Sequence, residues 1–174
     1  MSAKREASGR RPARADAEAP GGTQSAAARR SAEDEVRALI DKFAPANLRL
    51  IGAMRRALRK RLPTAHELVY EYRDCFVISL SPDDRGYEGA LAIRASAEGV
   101  RLYFNRGKDL PDPEKLLKGS SQTRWIPVAA ASALARPEVA RLIDEAVARN
   151  RVPFAPAGRG SVVVRLTTAK KRRQ

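Results

Sequence analysis

Apolar residues recur at every second position along much of the stretch from residue 67 to 104, and this alternation strongly limits the fold. The pattern runs through Glu67–Tyr72, Cys75–Leu80, Gly89–Ala95 and Val100–Phe104, with turn-forming sequences such as Asp83-Asp84-Arg85-Gly86 between them. Successive side chains of a strand point to opposite faces of a sheet. The runs therefore predict antiparallel strands with one face covered.

Apolar residues at helical spacing lie on both sides of these strands. A first helix is predicted to begin at Ser31, where Ser31-Ala32-Glu33-Asp34 resembles a capping box, and a second helix is predicted to end at Leu62-Pro63. A third helix is predicted to open at Pro137, before a last strand at 162–166.

One further short helix is predicted between the meander and a strand at 124–128. Asp112 would be its N-cap, Pro113 its first residue and Gly119 its end. The prediction is an α+β fold. It has a mostly antiparallel sheet of five to six strands, covered on one face by two N-terminal helices and one C-terminal helix.

Positive charge is concentrated at the two ends of the chain. The formal net charge is +14; residues 1–30 carry seven Lys/Arg against three acids, and residues 159–174 carry six against none. Residues 1–30 have almost no large apolar side chains, so they are predicted to be a disordered basic Ala/Arg-rich tail. The folded domain is expected at 31–166 and a basic tail at 167–174.

Several functional classes are disfavoured by composition. Cys75 and His66 are the only cysteine and histidine, so an internal disulfide and a two-histidine metal site are excluded. There is no run of 18 apolar residues and no secretory signal, so we expect no membrane partner and a cytoplasmic location. No nucleophile–base pair or nucleotide loop is recognisable. No cofactor is expected, and an enzyme is the less favoured interpretation.

Three segments carry a resemblance to a known family: MRRALRKRLPTAHELVY at 54–70, LPDPEKLLKGSS at 110–121 and RPEVARLIDEAVAR at 136–149. Together with the terminal SVVVRLTTAKKRR, they resemble the bacterial YdhG-like family, domain-of-unknown-function family 1801, over roughly residues 36–173. The chain departs from that pattern at Ser121-Gln122, where Gly-Lys or Gly-Asn is common. The resemblance implies a frataxin-like architecture. One branch of the family is described as an intracellular iron chaperone, and most members have no assigned activity.

Candidate binding residues lie in a turn and on the second helix. Lys118, Ser120 and Arg124 surround a Gly-Ser turn that could cradle an anion, or that simply ends the short helix. Arg55 lies near the edge of the apolar stripe of the second helix. Its side chain either extends to solvent or pairs with a carboxylate or a ligand anion over the sheet. Tyr70 could direct its hydroxyl into a cleft.

A nucleic-acid interface is the main alternative. Arg49, Arg56 and Lys60 gather on the polar face of the second helix, which is also the pattern of a solvated surface. They could join the terminal Lys170, Lys171, Arg172 and Arg173 in sequence-independent binding of phosphates. Trp125 could stack on a base, although we expect it to pack in the core of the sheet.

A metal site is a weaker alternative. Glu33, Asp34 and Glu35 could bind a hard cation, but they also offset the dipole of the first helix. The sequence thus favours a small non-catalytic protein that binds a ligand or a partner. Nucleic-acid association is the alternative, and iron carriage is less favoured.

Overall fold

The computed structural model describes residues 23–86 and 88–165. Two helices precede the first strand of a single sheet, and a third lies between its last two strands in the chain. The helices are α1 (Ala26–Phe43), α2 (Leu48–Arg61) and α3 (Pro137–Ala148). The strands are β1 (His66–Glu71), β2 (Cys75–Ser81), β3 (Leu91–Ser96), β4 (Gly99–Phe104), β5 (Arg124–Pro127) and β6 (Val162–Arg165). Short 3-10 turns occupy Pro45–Asn47, Gly107–Asp109 and Ala131–Ala135.

The six strands lie in the order β5-β4-β3-β2-β1-β6. Strands β1 to β5 pair antiparallel, and β6 pairs parallel with β1. The α+β architecture and the mostly antiparallel sheet predicted from the sequence are confirmed.

The two faces of the sheet have different surroundings. Phe76, Ile78 and Leu80 of β2 point toward the helices and belong to one buried cluster with Ile51 and Met54 of α2. Side chains at the alternate positions point away from this cluster. We call that second surface the open face.

Strand β6 is attached to the sheet through contacts at its start. The Gly160 N–H donates to the carbonyl of Pro63 at 3.0 Å. The Gln24 side chain, just before α1, both donates to the Val162 carbonyl at 2.8 Å and accepts from the Val162 N–H at 3.0 Å. The first helix and the last strand therefore hold each other in place.

The predicted start of the first helix is wrong. Helix α1 begins at Ala26, and the Ser25 hydroxyl accepts from the Ala28 N–H at 3.1 Å, so Ser31 lies within the helix. Alanine is the best helix former and Ser25 satisfies the first turn, so the Ala-rich residues extend the helix toward the N-terminus. Residues 23–30 are thus not a disordered tail. The tail predictions for 1–22 and for 167–174 concern residues outside the described ones.

The short helix predicted from Pro113 to Gly119 is also absent from this described segment. Lys115 has a φ of 53°, in the left-handed region, which ends any helix after one turn. The Asp112 carboxylate instead accepts from the N–H groups of Leu116 and Leu117, at 2.9 and 2.8 Å. Lys118 is already extended, because it pairs with Trp125.

Candidate functional site

The predicted binding residues do not form one site, because the sheet separates them. Arg55 lies among the helices, whereas Tyr70 and Lys118 lie on the open face. Ser120 is exposed at the tip of the turn before β5. The Arg124 guanidinium donates to the carbonyl of Gly119 in that turn. An anion cradle built from these residues would need Arg124 to leave this carbonyl.

Arg55 belongs to a buried ionic network. Its guanidinium donates to both oxygens of Glu67 at 3.1 and 2.7 Å and to Glu33 at 2.8 Å. Arg59 also reaches Glu67 and Glu33, at 2.5 and 2.6 Å. Burial alone would lower the pKa of Arg55, but the hydrogen bonds and charges of Glu67 and Glu33 outweigh it and raise that pKa. Of the two interpretations of Arg55, the structure favours pairing with carboxylates, and this network joins α1, α2 and β1.

The same network argues against metal binding by the first helix. Glu33 already faces the two arginines Arg55 and Arg59, whose charges would repel a cation. Asp34 and Glu35 are exposed, and no group of three or more potential ligands occurs among the described residues.

The open face carries an aromatic and cationic cluster that we call the platform, made of Tyr103, Trp125, Arg101, Arg94 and Lys118. Tyr103 and Trp125 are directly paired across β4 and β5, and their ring centroids lie 6.4 Å apart with an interplanar angle of 29°. The Arg101 guanidinium lies 4.2 Å from the centroid of the Trp125 ring, and the Lys118 ammonium lies 5.7 Å from it. The platform thus presents stacked π surfaces next to positive charge.

Trp125 is therefore not in the core, contrary to the prediction. Ile126, its neighbour in β5, is buried among the core residues, so Trp125 must point to the other face. Arg94, Arg101 and Tyr103 were also missed as site residues. The signal was present, because all three occupy the polar positions of alternating strands.

Arginines face each other on the platform. Arg94 of β3 is paired directly with Arg101 of β4. Like charges in directly opposed positions destabilise a sheet. Arg101 has a partial counter-charge in Glu98 at 3.5 Å, a carboxylate whose side chain is 73% exposed. A pair this exposed is weak. Burial alone would lower the pKa of Arg94, but Cys75, Tyr103 and Asp74 outweigh it and raise that pKa, so the charge of Arg94 is already partly balanced. An anion bound between Arg94 and Arg101 would balance the charge that remains.

A cavity of about 390 Å³ adjoins the platform, and we call it the trough. Its floor is formed by Val77, Ser79 and Ala92 of β2 and β3. The other residues that line the trough form its side walls, and they are Tyr70, Tyr72, Arg85, Gly86, Asn105 and Arg165. A volume of this size falls within the range of about 300–1,000 Å³ typical of small-molecule sites. Tyr70, one of the predicted residues, is thus placed in a cleft.

Cys75 lies near the platform without being reactive. Burial raises the pKa of its thiol, and the nearby Arg94 only partly opposes this. The thiol is therefore neutral at physiological pH, which is typical of a small core residue.

The basic residues of α2 form a separate surface. Arg49, Arg56 and Lys60 are exposed, and none of them forms an ion pair with a described residue. They lie on the helix side of the sheet, away from the platform. The terminal cations Lys170, Lys171, Arg172 and Arg173 lie outside the described residues.

Comparisons with protein-family models, with curated proteins and with solved structures gave no significant match. Membership of the YdhG-like family therefore stays a prediction based on the three sequence segments. None of the helices in the described part of the chain is long and apolar enough to span a membrane.

Proposed function

We propose that this protein is a non-catalytic binding module for single-stranded nucleic acid, and that the platform on the open face is its binding surface. The observation that carries the proposal is the Tyr103–Trp125 pair beside the directly opposed Arg94 and Arg101. The sequence predicts a binding module without identifying its ligand, and single-stranded nucleic acid is the ligand proposed for it. We also propose a cytoplasmic location, as expected from the sequence.

Stacking provides the first part of the proposed interaction. Aromatic rings and guanidinium planes on a sheet surface stack unpaired bases, at about 1–3 kcal/mol per base. Arg101 covers part of the Trp125 ring, so a base can stack on its guanidinium plane or on the Tyr103 ring. Bases in a duplex have no free faces, so the surface favours single strands.

Charge provides the second part. Arg94, Arg101 and Lys118 lie within one small area of the open face, and phosphates would neutralise them. A net charge of +14 also raises the local concentration of a polyanion around the protein. Both effects weaken with added salt, because binding releases counterions.

Trp125 is the only tryptophan, so its fluorescence reports directly on the platform. We expect single-stranded oligonucleotides to change its emission on titration and duplexes of equal length to bind more weakly. Trp125→Leu removes the ring against which both Tyr103 and the Arg101 guanidinium lie. It should therefore weaken the stacking of one base and reduce binding, measured by anisotropy of a labelled strand, by about 5- to 150-fold. Trp125→Phe keeps a ring and should recover most of the affinity.

The alternative interface on α2 is favoured by Arg49, Arg56 and Lys60, which are exposed and form no ion pair within the described part of the chain. Arg56→Ala combined with Lys60→Ala is the matched test. If this double variant loses more affinity than Trp125→Leu, the platform is not the binding surface and the α2 ridge takes its place.

A further inference from the structure

The trough and the platform form one continuous surface across the sheet. Trp125, Tyr103, Ala92 and Ser79 are partners in successive strand pairs, so they form one row perpendicular to the strands. Three strand spacings separate Trp125 from Ser79, which is about 14 Å. Sheets that bind RNA stack two or three bases over comparable surfaces. A single-stranded nucleic acid with one base on the platform can therefore place the next base, or the one after it, in the trough.

The trough has the shape and lining for a planar ring. Its floor consists of small or short side chains, Val77, Ser79 and Ala92, with Tyr70 as one wall. Tyr103 of the platform is the strand partner of Ala92, so it adjoins this floor. Tyr70 is held in place by the loop after β2. Gly86 has a φ of +91°, and a Cβ there would lie 2.3 Å from the Tyr70 hydroxyl oxygen. Glycine at this position leaves room for the Tyr70 hydroxyl, so the tyrosine ring lies against this loop.

The polar groups of the trough include an oriented hydrogen-bond acceptor. The Asn105 side-chain nitrogen donates to the Gly89 carbonyl, which fixes the orientation of the amide. The amide oxygen of Asn105 has no hydrogen-bond partner among the described residues. An acceptor that lines a ligand-sized cavity selects a ligand that carries a donor.

We infer that the trough is a subsite for one unpaired base with an exocyclic amino group, adenine, cytosine or guanine, with the Asn105 amide oxygen accepting from that group. The inference rests on the proposed function and adds a base preference to it. Adenine, cytosine and guanine carry amino donors at N6, N4 and N2. Thymine has no amino group, and its single ring donor, N3–H, lies between two carbonyl oxygens that would face the Asn105 oxygen unfavourably. Arg165, whose guanidinium donates to the Arg85 carbonyl at 3.3 Å, provides positive charge for the adjoining phosphate at the mouth of the trough.

The test compares single-stranded oligo(dA), oligo(dC) and oligo(dT) of equal length against the full chain. We expect oligo(dA) and oligo(dC) to bind about three- to ten-fold more tightly than oligo(dT), the equivalent of one hydrogen bond. Asn105→Ala should reduce this ratio toward one and leave the affinity for oligo(dT) almost unchanged. The self-stacking of each oligonucleotide is the same with both proteins, so it cancels when their ratios are compared.

Asn47→Ala is the matched control. Asn47 precedes α2, and its side chain makes no capping hydrogen bond there, so its loss should leave the ratio unchanged. In the wild-type chain, the NMR signals of the Asn105 side-chain amide should shift with AMP and not with UMP. This measurement needs no variant and stands even if Asn105→Ala does not fold.

Two results would overturn the inference while leaving the proposed function intact. One is equal binding of the three oligonucleotides with a normal response of Trp125, and the other is a preference that persists in Asn105→Ala. If no oligonucleotide changes the emission of Trp125, the proposed function itself fails.

Discussion

Glu67 is the buried carboxylate on which two arginines converge. Its side chain is 3% exposed and that of Arg55 is 9% exposed, so both charges depend on each other rather than on water. Glu67→Gln would leave Arg55 and Arg59 with Glu33 as their one remaining ion-pair partner among the described residues. We expect the free energy of unfolding in urea to fall by about 3–5 kcal/mol, as is typical when one partner of a buried pair is removed.

Arg37→Gln is the control for that prediction. Arg37 pairs with Asp41 one turn away on α1, and both side chains are more than half exposed. Loss of this exposed pair should change stability by less than about 0.5 kcal/mol. If Glu67→Gln is as mild as Arg37→Gln, the network does not stabilise the fold.

Glu33 gives the network a dependence on pH. Burial alone would raise the pKa of Glu33, but hydrogen bonds and charges from Arg55 and Arg59 outweigh it and hold that pKa below its ordinary value. The unfolded carboxyl therefore binds a proton at a higher pH than the folded one. The contribution of Glu33 is complete above the unfolded pKa of about 4.3, and it is lost as the pH falls through the lower folded pKa.

Urea midpoints measured from about pH 7 down to pH 3 should therefore fall less steeply in Glu33→Gln than in the wild type below about pH 4.3. Equal slopes for the two proteins would mean that Glu33 keeps its ordinary pKa in the folded state.

For individual residues, the sequence predicts the type of interaction better than the partner or the direction of the side chain. The helical wheel places Arg55 at the edge of the apolar stripe, which leaves open whether its side chain extends to solvent or pairs with a carboxylate. It cannot identify Glu67 and Glu33, because the partners come from a strand and from another helix. Packing of Trp125 in the core was expected because the chain lacks the Arg-Gly-Phe pattern of RNA-binding strands, whereas the buried position of its neighbour Ile126 decides the direction of its side chain.

Among the structural elements, β6 depends most on one residue. A Cβ at Gly160 would lie 1.8 Å from the carbonyl oxygen of Ala65, a backbone atom that cannot move without displacing β1. We expect Gly160→Ala to destabilise the protein by about 1–3 kcal/mol or more. The amides of β6 should also exchange faster with deuterium.

Gly52→Ala is the matched control for Gly160→Ala, because the same glycine-to-alanine change is expected here to stabilise the protein. A Cβ at Gly52, within α2, would meet only the flexible end of Arg56, at 3.4 Å. Because glycine disfavours helix, this variant should be more stable by about 0.5–1 kcal/mol. Equal effects of the two variants would mean that the contact between Gly160 and Ala65 is unimportant.

Local sequence predicts these elements well where periodicity extends over several residues, as in β2, β4 and α3. It fails where one short motif must set a boundary. Ser25 and Ser31 are both plausible caps, and the choice between them involves contacts of Gln24 and Arg29 with the distant residues Val162 and Gly160. Asp112 does satisfy backbone N–H groups as a cap would, but the pairing of Lys118 with Trp125 keeps the chain extended after it.

For the molecule as a whole, the proposed function assigns base stacking to the open face and additional attraction of phosphates to the charged ends. Replacing Lys170, Lys171, Arg172 and Arg173 together by Gln removes four cations outside the described residues. We expect weaker binding of single strands at low salt and a shallower salt dependence. The slope should change by at most about 0.7 per cation that engaged a phosphate.

The preference among oligo(dA), oligo(dC) and oligo(dT) should stay as in the wild type, because the trough is untouched. Complete loss of binding in this variant would assign the interaction to the C-terminal cations rather than to the open face.

The double hydrogen bond between Gln24 and Val162 has a consequence for solubility. An outermost strand normally offers free N–H and carbonyl groups to any other chain, which is how sheets from separate molecules join into aggregates. The Gln24 amide takes up both groups of Val162, much as a neighbouring peptide would. The β6 edge of the sheet is thereby partly closed to strand addition by a second molecule.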